Sequence, residues 1–115
     1  MALLAIEKNP NSVGARNILA GLSILDGLFD QAVTYSQEAL EINPSSVESM
    51  AHLATVHFLR GDTAEFEAVE ARALQVNPRS SLFYTTLARN CELKFRYPDA
   101  VTFGQRAVQA NRRDP

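Results

Sequence analysis

Ala39-Leu40-Glu41-Ile42-Asn43-Pro44-Ser45-Ser46 carries the architecture of this chain, because it recurs. Ala73-Leu74-Gln75-Val76-Asn77-Pro78 repeats it 34 residues later, and Ala5-Ile6-Glu7-Lys8-Asn9-Pro10 precedes it by the same step. A further step reaches Ala107-Val108 and Asn111, where Arg112 replaces the proline. Leu19-Ala20, Leu53-Ala54 and Leu87-Ala88 keep the register, as do Ser12, Ser46 and Ser80. A fixed period of this length marks a stack of supersecondary units.

Each unit reads as two helices. The residue before proline is pushed out of helical dihedrals, and proline cannot continue the hydrogen-bond ladder, so Asn-Pro ends a helix. The serines that follow are N-cap residues, and Ser45 with Glu48 three residues on fits a capping box. Gly27 and Gly61 mark a tight turn inside the unit. Phe95 stands where the third glycine would be, and Pro98 then opens the next helix. The reading is a partial helix near 2–8, then pairs near 13–25 and 29–42, 47–59 and 63–76, and 81–94 and 98–110.

A 34-residue helix-turn-helix unit with these residues resembles the tetratricopeptide repeat. The first unit matches best, through Leu19-Ala20, Gly27-Leu28-Phe29-Asp30-Gln31-Ala32 and Ala39-Leu40-Glu41-Ile42-Asn43-Pro44. The resemblance covers one domain over 1–115: repeats at 13–46, 47–80 and 81–114, with 1–12 as the tail of an earlier one. It implies an all-α, right-handed superhelix of antiparallel hairpins. The chain departs from the family's pattern at named places. Arg16, Met50 and Tyr84 replace its tryptophan. Ser23, His57 and Cys91 replace its first tyrosine. Ser36, Glu70 and Gly104 replace a second-helix aromatic, and Phe66 occupies an alanine position.

Composition agrees with a helical globular chain. Of 115 residues, 46 % are hydrophobic and 21 % charged, with only five Gly and five Pro. The single Cys91 excludes an internal disulfide and a multi-cysteine metal site, and suits a reducing compartment such as the cytoplasm. No run is long enough for a membrane span. The net charge of −2 argues against a nucleic-acid partner. Residues 1–70 carry ten acids against three bases, and residues 71–115 carry eight bases against three acids. The chain starts inside a second helix and stops soon after another, so it reads as a segment of a longer protein. Its apolar ends and opposed charge predict head-to-tail self-association that salt weakens.

The resemblance implies that the first helices line a concave groove for a peptide or protein partner. Its residues are then Gly14, Asn17, Ile18, Gly21, Ile24 and Leu25, followed by Glu48, Ala51, His52, Thr55 and Leu59, then Leu82, Thr85, Thr86, Arg89 and Leu93. Asn17, Gly21, Glu48, His52, Thr55, Thr86 and Arg89 are the candidate binding residues. The family's carboxylate clamp for chaperone tails is not expected, because Asn17, Gly21, His52, Leu82 and Thr86 supply no cation at its positions. His52 and His57 are five apart, not at the four-residue step of a helical metal pair. Cys91 has no histidine predicted beside it to activate a thiolate. No catalytic residue, cofactor or metal is expected. The leading expectation is a binding scaffold, and the alternative is an oligomerisation or regulatory segment of a larger enzyme or secretion component.

Overall fold

The computed structural model describes residues 12–78 and 81–112. Six helices and no strand occur among them: α1 Val13–Leu25, α2 Phe29–Ile42, α3 Val47–Arg60, α4 Thr63–Val76, α5 Ser81–Leu93 and α6 Tyr97–Arg112. They form three antiparallel hairpins, the all-α helical-repeat architecture. The expected helix near 2–8 lies outside the described residues.

The punctuation works as its chemistry dictates. Asn43 and Asn77 are extended, with φ −135° and −151°, as a following proline demands. Ser12 and Ser46 cap α1 and α3, their hydroxyls accepting from the Ala15 and Ser49 amides. Ser45 does not cap. Its amide donates to Asn43 Oδ1 at 3.1 Å in a side-chain turn, so the expected Ser45–Glu48 box is replaced by a cap one residue later. Glu48 is thereby left to face the groove. Each hairpin turn carries one long bridge at the same register. The amides of Leu28, Asp62 and Arg96 donate to the carbonyls of Ser23, His57 and Cys91 at 2.8–2.9 Å. That bridge needs a left-handed residue just before it. Gly27 and Gly61 supply it at φ +76° and +78°, and Phe95 is forced into it at φ +61°. The final helix starts at Tyr97, so Pro98 is its second residue rather than its first.

Packing is close where small residues recur. Ala20, Ala54, Ala32, Ala39 and Ala73 have no exposed surface, and such residues let helix axes approach. Between the first two hairpins the seam is regular. Ile24, Ala32 and Val33 of one meet Val56 and Leu59 of the next.

The second seam is different. Moving that set by 34 residues places Phe66 where Ala32 is, Glu67 where Val33 is and Glu70 where Ser36 is. A carboxylate cannot be sealed in an apolar seam without a partner, and a phenyl ring does not fit an alanine slot. The third hairpin therefore leans elsewhere. Helix α5 packs along α3 and reaches α1, while its backbone hardly approaches α4. Phe103 of α6 fills the seam, its ring centroid 5.1 Å from Phe58 and 6.0 Å from Phe66. Glu70 is satisfied by the Tyr84 hydroxyl at 2.8 Å and Arg106 at 3.4 Å.

A buried polar node holds this arrangement. Asn90 Nδ2 donates to His52 Nδ1 at 3.1 Å and to Thr55 Oγ1 at 3.0 Å, and the Thr55 hydroxyl donates to the Ala51 carbonyl at 2.7 Å. His52 Nδ1 must then be the unprotonated nitrogen, which puts the neutral ring's proton on Nε2. Burial, helped by the Arg89 guanidinium, lowers the His52 pKa from 6.5 to about 4.

Two outcomes follow from these local observations. Phe95 is 77 % exposed, so its ring contributes little packing. Phe95→Gly should relieve the left-handed backbone and stabilise the fold by about 1 kcal/mol, read from urea unfolding. The second concerns pH. Unfolded His52 protonates near 6.5 and the folded ring only near 4. The unfolded state binds the extra proton between those values, so stability falls as pH drops through that window and levels off below it. The loss should approach about 3 kcal/mol, and His52→Gln should remove this component from the difference between unfolding curves at pH 7 and pH 4.

Candidate binding groove

The lean of the third hairpin makes a slot. Helix α3 is its floor, α1 and α5 are its walls, and Lys94 Nζ donates to the Leu25 carbonyl at 3.3 Å across one end. The cleft holds about 230 Å3. Its rim is apolar: Ile18, Leu22 and Leu25 follow one another at helical spacing on α1, with Leu93 opposite on α5. All four are roughly half exposed. Its floor is polar.

Six of the seven candidate residues meet around this cleft: Asn17, Gly21, Glu48, His52, Thr86 and Arg89. Thr55 does not. It has no exposed surface and both its polar contacts are internal, so the structure places it beneath the floor, where it supports His52. Ile24 and Ala51 are likewise core, and Leu59 packs in the first seam. The resemblance assigned these four to the groove because it fixes a position on the helix. The actual tilt of each hairpin rotates some of those positions inward. Leu22 and Asn90, which the resemblance did not assign to the groove, line it. Leu22 could have been found as the fourth-residue neighbour of Ile18. Asn90 stands at the same repeat position as Leu22, but the member between them, Val56, is buried, so that position does not by itself mark the groove.

The floor residues are held from below. Asn17 Oδ1 accepts from the Ser49 hydroxyl at 2.7 Å, joining α1 to α3. Gly21 lies against His52: a Cβ there would sit 3.4 Å from His52 Cε1, in van der Waals contact. His52 turns its protonated Nε2 toward Glu48, 3.9 Å from Oε1, too far for a hydrogen bond. Thr86 is 1 % exposed and its hydroxyl has no partner. A buried hydroxyl without a partner costs free energy, and this one lines the cleft. The arrangement can accept one or two aliphatic side chains along the rim and hydrogen-bond a backbone group at the floor. Cys91 does not line the cleft. The residue is fully buried, and burial with the Asp99 charge pushes its thiol up to about 11. Among the described residues no group of side chains could hold a metal ion, and no helix is long and apolar enough to cross a membrane.

No family model and no curated protein match the chain. Solved structures do: 48 chains match. One, MamA MSR-1 C2, superposes with a TM-score of 0.60 over 99 % of this chain at 18 % identity. This chain spans 66 % of that structure's length. At this identity the likeness establishes a shared all-α helical-repeat fold, the tetratricopeptide-like architecture expected from the 34-residue period.

Proposed function

We propose that this chain is a non-catalytic binding module that holds a segment of a partner protein in the slot between α1 and α5. The observation that carries the reading is the pairing of an apolar rim with an unsatisfied polar floor. Ile18, Leu22, Leu25 and Leu93 offer hydrophobic surface, and beneath them the Thr86 hydroxyl has no partner among the described residues while His52 Nε2 stands 3.9 Å from Glu48, beyond hydrogen-bond reach. Concave sites with an apolar lining and a few converging polar groups are where ligands bind. Arg89 and Glu48 supply opposite charges along the slot, which would orient the partner.

A second reading is self-association, with the chain acting as an oligomerisation segment. It is supported by the outer face of α6, where Val101 and Val108 are 59 % and 52 % exposed. Their equivalents one repeat earlier but one, Val33 and Leu40, pack against neighbouring helices.

Peptides selected by phage display against the chain discriminate the readings. The groove reading expects their affinity to fall at least tenfold for Ile18→Asp with Leu22→Asp, and also for Arg89→Glu, with unchanged thermal stability. Val101→Asp with Val108→Asp should leave it unchanged. If the α6 pair instead abolishes association, seen as loss of a salt-sensitive dimer by light scattering, the second reading replaces the first.

A further inference from the structure

On the far side of the molecule from the slot, the second seam leaves a larger cleft of about 410 Å3. It lies within the ~300–1,000 Å3 range of ligand sites. It goes with the departure described above: carboxylates and a ring stand where the preceding repeat has Val33, Ser36 and Ala32, and α5 does not seal against α4. Its floor is aromatic. Phe58, Phe66 and Phe103 form a triangle with centroid separations of 5.1–6.0 Å.

Its walls are acidic. Glu67, Glu70 and Asp99 line it together with Arg106, and Arg96 reaches over its floor from the edge. The three carboxylates are not equivalent. Glu70 is engaged by Tyr84 and Arg106, and Asp99 by Arg96 at 2.9 Å. Glu67 is exposed and has no ion pair among the described residues. Both arginines already lie over the aromatic floor, Arg96 at 5.5 Å from the Phe58 centroid and Arg106 at 5.4 Å from that of Phe103. The floor therefore suits a guanidinium as well as a ring. His57 Nδ1, in the same wall, is buried without a hydrogen-bond partner. It stands 3.7 Å from Asp62 Oδ2, beyond hydrogen-bond reach.

We infer that this cleft is a second docking site, taking an aromatic side chain flanked by arginine or lysine from a basic peptide segment. The ring would pack against Phe58, the partly exposed member of the triangle, while Phe66 and Phe103 back it from the core. The flanking cation would meet Glu67, since Asp99 and Glu70 already hold Arg96 and Arg106. Charge complementarity selects this occupant over an acidic or purely aliphatic one. The site is separate from the slot, and neither depends on the other.

The test is a nitrogen-15 NMR titration with the blocked tripeptide acetyl-Arg-Phe-Arg-amide, with acetyl-Glu-Phe-Glu-amide as control. The basic peptide should shift the amides of Gly61, Thr63 and Thr102 saturably. Its affinity should fall at least fivefold on Glu67→Gln and on raising salt. Thr102→Trp, which fills the cleft, should abolish the shifts, and Ile18→Asp in the slot should not alter them. The acidic control should bind at least tenfold more weakly. Shifts centred on Gly21 and Arg89, equal response to both peptides, indifference to Glu67→Gln, or no saturable shift would each overturn the inference.

Discussion

The charge of Glu67 and Glu70 governs how this molecule is put together. Two carboxylates stand in a helix seam that the preceding repeat seals with Val33 and Ser36. Removing an unpaired carboxylate from water costs several kcal/mol, more than closing the seam would return through the burial of a few methylenes. The third hairpin thus leaves α4 and settles on α3. Phe103 covers the apolar ground that α5 would have covered, and Tyr84 and Arg106 attend to Glu70.

That displacement shapes both faces at once. On the inner face α5 comes within reach of α1, so an open concave surface becomes a slot closed at one end by Lys94 and Leu25. Leu93, whose equivalent Leu59 is packed in the first seam, turns out into the slot. On the outer face a cleft remains between α4 and α6, backed by Phe66 and Phe103 in the core with Phe58 partly exposed. The Asn90–His52–Thr55 node fixes the lean, because a buried amide has to find its acceptors in one geometry only. It also places a neutral imidazole with Nε2–H facing the slot.

Much of this was legible beforehand, and the reason is local. The helix ends fall within a residue of the reading at almost every boundary, because proline, glycine and the cap serines act on their own backbone whatever the tertiary context. Ser12 and Ser46 cap as read, but the Ser45–Glu48 capping box does not form, since Asn43 takes the Ser45 amide. The groove was legible only in outline. Asn17, Gly21, Glu48, His52, Thr86 and Arg89 come together, but Thr55 is roofed over, because helix position alone does not say how far a neighbouring helix rotates. Phe66 and Glu70 stood out as departures from the repeat, and Glu67 in place of Val33 is the third member of that set. Reading the three together as one unsealable seam requires knowing which helix faces them.

Nuclear Overhauser contacts at the second seam test the central claim most directly. The displaced hairpin predicts strong cross-peaks between the Phe58 and Phe103 ring protons and between the Lys94 side chain and Leu25, with none from Leu93 methyls to the Phe58 ring. A regular stack would instead bring Leu93 onto Phe58 and leave Lys94 remote from Leu25. That pattern would contradict the account.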